Sequence, residues 1–178
     1  MKNEYTTIVI VFTKSIKKFP LISKLIMWWT GKEYSHVARE VVRRDWGSGF
    51  YQASEGNVNY EHESVFHQKH KIVKEYILMV DKSLEMDIRK ACWEDCGKKY
   101  GMLQNLGILL VDLGICKDTP WKEGRNCSEL IYIKILKEMI PDLNHNPDTV
   151  KPHHIEDIIR KYFEFDFINN VWKLKNKD

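Results

Sequence analysis

Residues 5–13 contain the apolar, β-branched run Ile8, Val9, Ile10, Val11 and Phe12, which predicts a buried strand. Phe19, Ile22, Leu25, Ile26 and Trp29 then recur at helical spacing across 15–29. Pro20 fits the first turn of that helix, where its missing N–H costs nothing, and Thr30-Gly31-Lys32 stops it. A second strand is expected over 35–42, a polar glycine-containing loop over 43–49, and a third strand over 50–53 as its hairpin partner. Glu55-Gly56-Asn57 reads as a turn, 58–60 as a short strand, 61–68 as a short helix and 72–80 as a strand.

Beyond residue 80 the pattern turns helical. Ser83 is a suitable N-cap for a helix to about Lys99, and 100–115 is an apolar helical segment. A loop with Pro120 and Trp121 leads to Asn126, a good N-cap; Cys127 is then the first helical residue, with Glu129 in the first turn and the helix running to about Met139. Residues 141–152 form a loop rich in Asn, Asp and Pro, and 153–162 a last helix. Residues 163–174 alternate and contain Asn169-Asn170, which suggests a terminal strand or hairpin before a solvated tail. Strands and helices are largely segregated along the chain, which predicts an α+β domain over 1–178, with 174–178 as a flexible tail.

Composition narrows the function classes. The 178 residues suffice for one well-cored domain and are short for two. The 28 basic and 25 acidic residues are interspersed and leave a net charge of +3, so a concentrated basic face for nucleic acid is not expected. The early apolar run is too short for a secretory h-region, and no stretch approaches a membrane span, so synthesis in a cytoplasm is expected. Cys92, Cys96, Cys116 and Cys127 form no regular disulfide framework. Cys92 and Cys96 share a helix face, but no matching Cys/His pair follows at ligand spacing, and no metal or other cofactor is expected. His153 and His154, beside Pro152, read as surface residues, and His62, His67 and His70 as solvated.

Two residues carry the candidate chemistry. A thiol attacks only as thiolate, and a helix N-terminus together with a nearby imidazole favours that form. Cys127 stands at such a helix start, and His36 lies on a strand far upstream. A lone cysteine there is ordinarily a small buried hydrophobe; the surrounding segments set this one apart.

Thr30-Gly31-Lys32-Glu33-Tyr34-Ser35-His36-Val37, then Phe50-Tyr51-Gln52-Ala53-Ser54-Glu55-Gly56-Asn57-Val58, then Gly97-Lys98-Lys99-Tyr100-Gly101, then Asn126-Cys127-Ser128-Glu129-Leu130 follow one another in the chain. As a set, this order resembles the circularly permuted branch of the NlpC family of papain-like cysteine hydrolases, which includes YiiX-like bacterial proteins and is related to the lecithin–retinol acyltransferases. The resemblance implies a papain-like fold, with an antiparallel meander or barrel-like sheet packed against helices. It implies Cys127 as nucleophile and His36 as base and then acid. It also implies an orienting residue on the strand after the histidine strand, where a Glu is common and this chain has Gln52. An amide orients imidazole without stabilising imidazolium by charge, and Glu55 nearby is the alternative orienter. Tyr100 matches a tyrosine beside the nucleophile; Tyr100 and Glu55 are the candidate substrate contacts.

Three functions fit these expectations. One is a hydrolase of peptide or cell-wall-type amide bonds acting through a Cys127 thioester. Another is a lipid-directed acyl hydrolase or acyltransferase, for which Trp28-Trp29 and residues 101–115 would suit an interfacial substrate, and a core equally. The third is a non-catalytic binding protein on the same scaffold. The small size and the many Lys and Asn residues are compatible with a phage origin, with carriage in a virion or release by lysis. The sequence does not indicate an oligomeric state.

Overall fold

The computed structural model describes residues 4–16, 20–43, 47–54, 56–118, 124 and 126–175. Seven strands form one sheet in the order β4-β3-β2-β1-β5-β7-β6. The strands are β1 (Tyr5–Ser15), β2 (His36–Arg43), β3 (Gly47–Ser54), β4 (Asn57–His62), β5 (His70–Asp81), β6 (Phe163–Asp166) and β7 (Val171–Leu174). The sheet is antiparallel throughout except where β7 joins β5 in parallel at Leu78↔Trp172. It is open, with β4 and β6 as edges; the expected barrel-like closure is not formed, because the β6–β7 hairpin adds beside β5 and extends the sheet away from β4.

Alternation along the strands builds two apolar layers. Ile8, Ile10, Phe12, Val37, Val41, Tyr51 and Leu78 face a large core shared with α3 (Lys82–Asp95) and with the helices of the C-terminal half. Val11, Ala38 and Phe50 face the other side, where α2 (Glu63–Lys69) lays Phe66 on Phe50 with ring centroids 3.8 Å apart. Burying a phenylalanine so completely stabilises the fold by about 2–3 kcal/mol.

The helices begin and end for local reasons. Helix α1 (Pro20–Thr30) starts on its proline, as expected. Helix α3 starts at Lys82, with extended Asp81 rather than Ser83 in the cap position and no side-chain cap bond. Helix α4 (Met102–Asp112) follows Gly101. Helix α5 (Cys127–Ile131) passes through a π-helical stretch, Tyr132–Leu136, into α6 (Lys137–Met139). Helix α7 (Pro152–Tyr162) buries Ile155, Ile158 and Ile159 on one face and leaves Asp157, Arg160 and Lys161 exposed on the other.

One buried carboxylate pins three parts of the fold together. Glu156 of α7 accepts from the Tyr34 hydroxyl, from the Tyr76 hydroxyl at 2.8 Å, from Lys74 at 2.7 Å and from Arg160 at 3.0 Å. Tyr34 lies two residues before β2, so the network anchors the chain where the histidine strand begins. Among the described residues, no helix is long and apolar enough to cross a membrane.

Candidate active site

The site forms where the sheet opens. Pairing between β2 and β3 runs from Arg43↔Gly47 to Arg39↔Tyr51, and His36, Val37 and Ala38 lie beyond it. Helix α5 packs against both strands there. Its first turn is held by a reciprocal cap: Asn126 Oδ1 accepts from the Glu129 N–H at 2.8 Å, and the Glu129 carboxylate accepts from the Asn126 N–H at 3.4 Å. Gln104 of α4 donates to the same carboxylate at 3.2 Å. The cap does not use the Cys127 N–H, which remains at the helix start beside the thiol. A π-helical stretch directly follows this turn, a distortion that recurs at functional sites.

Cys127 and His36 are brought together, both more than nine-tenths buried. Burial alone would push the thiol up, yet it lies below the usual thiol range. The charge and hydrogen bond of His36, a backbone hydrogen bond from Val37 and the Ser128 hydroxyl all favour thiolate. Burial likewise opposes imidazolium, yet His36 is raised by the Cys127 thiolate, by its hydrogen bond to Gln52 and by the charge of Glu61. The two shifts are one effect: each ion supports the other.

Gln52 holds the His36 ring. It is fully buried on β3, and its Oε1 lies 2.8 Å from His36 Nε2. Its amide orientation is fixed from behind, because its Nε2 donates to the Glu61 carboxylate at 3.0 Å. The amide oxygen must therefore face His36 and accept its Nε2–H, which leaves Nδ1 for the thiol. Lys69 donates to Glu61 at 2.5 Å and completes a chain running Cys127, His36, Gln52, Glu61, Lys69. This arrangement accounts for an amide at position 52: a carboxylate there would face the Glu61 carboxylate.

Tyr100 stands beside the pair. The Cys127 charge and, more strongly, burial raise its hydroxyl above the usual tyrosine range, and Asn105 donates to it at 3.2 Å. The segment is held in place by Tyr100 N–H donating to Gly56 O at 3.0 Å and by the close approach of Gly124. Gly124 has φ +94°, and a Cβ there would stand 2.6–2.7 Å from the backbone of residues 99–101. Glu55 lies outside the described residues.

His70 corrects the sequence reading. It is not solvated: its ring stacks on His36, centroids 4.9 Å apart and 18° between planes, and on Phe66. Burial first, then the charges of His36 and Lys69, push it down to about 3, so it is a neutral wall behind the base. His62 and His67 are exposed, as expected, with His62 capping α2. His153 and His154 are half-buried rather than on the surface; burial holds both below the usual imidazole range, His154 at about 4. Cys92 is buried and Cys96 partly so.

Glu61, Lys69 and Asn105 were not singled out by sequence reasoning, and His70 only as a solvated residue. A signal existed for Glu61. Phe50 pairs with Glu61 and Gln52 with Asn59, so Glu61 is the diagonal neighbour of Gln52 on the same face. Extending the fourth strand by two residues would have revealed it.

A thiolate beside an imidazolium supplies a nucleophile and a proton donor within one dry site. Comparison of the chain with protein-family models found no match, and comparison with curated proteins found none either.

Proposed function

We propose that the chain is a cysteine hydrolase of the permuted NlpC type, cleaving amide bonds of peptide or cell-wall-type substrates through a thioester on Cys127. The observation that carries this reading is a buried thiol held below its usual range by a buried histidine, itself held by Gln52. Cys92 moves the other way: burial pushes it up to about 11, against the opposing charge of Arg39.

In this reading the Cys127 thiolate attacks the substrate carbonyl carbon. The developing oxyanion is stabilised by the Cys127 N–H and the Tyr100 hydroxyl. His36 gives its proton to the leaving amine, and the acyl group remains on sulfur. Water then attacks the thioester while His36 takes up its proton, releasing the acid and restoring the pair. Gln52 and Glu61 keep the imidazole in one plane and one tautomer throughout.

The test is alkylation by iodoacetamide across pH, read for each cysteine by mass spectrometry. At pH 6, Cys127 is expected to react far faster than Cys92, Cys96 and Cys116, and His36→Ala should slow it by about 100-fold, because burial then acts on the thiol without its counter-ion. A Cys127 no faster than the other three would overturn the hydrolase reading and leave a binding protein on this scaffold. Amide substrates would be screened before esters.

One observation favours a second reading, a lipid-directed acyl hydrolase. Leu21 and Trp28 of α1 are 79% and 78% exposed, with Leu25 between them on the same face. Co-sedimentation with phosphatidylcholine vesicles that is lost in Trp28→Ala, together with ester cleavage, would favour it over the amide reading.

A further inference from the structure

A cavity lies against the inner face of β2, β3 and β4. Its volume is about 530 Å³, and none of Cys127, His36, Gln52 or Tyr100 lines it. It forms because α3 packs on β1 and β5, while the inner face of β2, β3 and β4 continues past it. Arg39, Tyr51 and Tyr60 stand in one cross-strand row along that face. Met86, Arg89, Lys90 and Trp93 of α3 close the other side at helical spacing.

The floor of this cavity is polar and incompletely bonded. Arg39 is 2% exposed; its Nη2 donates to Glu85, and its Nη1 lies 3.7 Å from the Cys92 sulfur. Its Nε–H has no hydrogen-bond partner among the described residues. Tyr51 is equally buried, and its hydroxyl has no nitrogen or oxygen partner among them, with the Cys92 sulfur as its neighbour. Both atoms are closed off from the cavity itself, so Arg39 acts on it as an under-bonded buried cation rather than as a direct donor. Arg89 and Lys90 add positive charge at the rim, and no acidic residue is among the described residues that line the cavity. Glu85 binds both Arg39 and Arg89 from behind, offsetting one of the three cations. The remaining walls are Val41, Tyr60, Met86 and Trp93, apolar and largely aromatic.

We infer that this cavity is a second ligand site, built for a small aromatic organic anion drawn by the positive charge of Arg39, Arg89 and Lys90, whose body lies between Tyr60, Met86 and Trp93. The volume is that of an ordinary small-molecule site. The inference does not depend on the reactivity of Cys127, so either can fail without the other.

The experiment is titration calorimetry of the whole protein with 1-naphthoate and with the neutral 1-naphthylmethanol. It is paired with maleimide protection of each cysteine, read by mass spectrometry. The acid is expected to bind at one site, at least about tenfold more tightly than the alcohol, since a hydrogen bond to a charged group is lost with the carboxylate. It should protect Cys96, which lines the cavity, and leave Cys127 unprotected. Arg89→Ala with Lys90→Ala, both at exposed positions, should weaken the acid and not the alcohol. No saturable binding by millimolar 1-naphthoate, equal binding of acid and alcohol, or protection of Cys127 in place of Cys96 would each overturn the inference.

Discussion

Replacing Gln52 by methionine tests the chain of contacts behind the base. The side chain is fully buried and of similar length, so the substitution preserves volume and removes two hydrogen bonds. One of them, 2.8 Å long, accepts the Nε2–H of His36. That bond is made to both protonation states of the ring but is about twice as strong to imidazolium. The difference amounts to about 1–1.5 kcal/mol, or about one pH unit in the midpoint of His36. The sign follows from which form loses more: imidazolium is weakened, so the His36 midpoint falls, and the thiolate loses part of its counter-ion. The assay is an NMR titration of the His36 ring, assigned with His36→Ala, in wild type and Gln52→Met. A midpoint that stays in place would refute the reasoning, because it would mean that the contact to Gln52 contributes nothing to the charge on the base. Glu61→Gln should move the same midpoint down by less, since Glu61 acts through the amide and is partly offset by Lys69.

Gln52→Glu alone should lose about 2–3 kcal/mol in urea denaturation at pH 7, with two carboxylates at the 3.0 Å contact, and adding Glu61→Gln should recover most of it. Glu156 is held down to about 2 from 4.5, chiefly by Lys74, Tyr34 and Tyr76 acting against burial, which corresponds to about 3 kcal/mol of stability. That contribution is complete above pH 4.5 and is lost as the pH falls towards 2; Glu156→Gln should flatten the acid limb of stability against pH measured by urea denaturation. Gly124→Ala should cost about 2–3 kcal/mol in the same assay, because φ is +94° and the new methyl meets the backbone of residues 99–101, and it should slow Cys127 alkylation by displacing Tyr100.

What could be read from the chain and what could not divide along the range of the interactions. The start of α5 was legible because its determinants lie within four residues: Asn126 and Glu129 cap each other across the first turn. The β2–β3 hairpin and the proline start of α1 are local in the same sense. Gln52 could be placed only through the resemblance, and its partnership with Glu61 depends on where β4 ends, which the alternation of 58–60 does not fix. His70 was missed because one face of its ring is covered by His36 of β2, a contact that the residues around it in the chain do not announce, although Phe66 on its other face lies only four residues earlier. The open sheet could not be read either. It follows from a single parallel contact, Leu78↔Trp172, between strands separated by most of the C-terminal half.

The opposed shifts of Cys127 and Cys92 give the protein an internal gauge of its own integrity. The first thiol is depressed by groups on β2, a strand some ninety positions earlier in the chain, and the second is elevated, to about 11, by the core that surrounds it. Loss of tertiary structure removes both influences, and each sulfur returns to ordinary cysteine behaviour from opposite sides. At mildly acidic pH an electrophile therefore marks intact molecules at residue 127, while at alkaline pH it marks opened ones at residue 92. The two adducts, read from parallel aliquots of one preparation, compare its intact and opened molecules without a spectroscopic baseline.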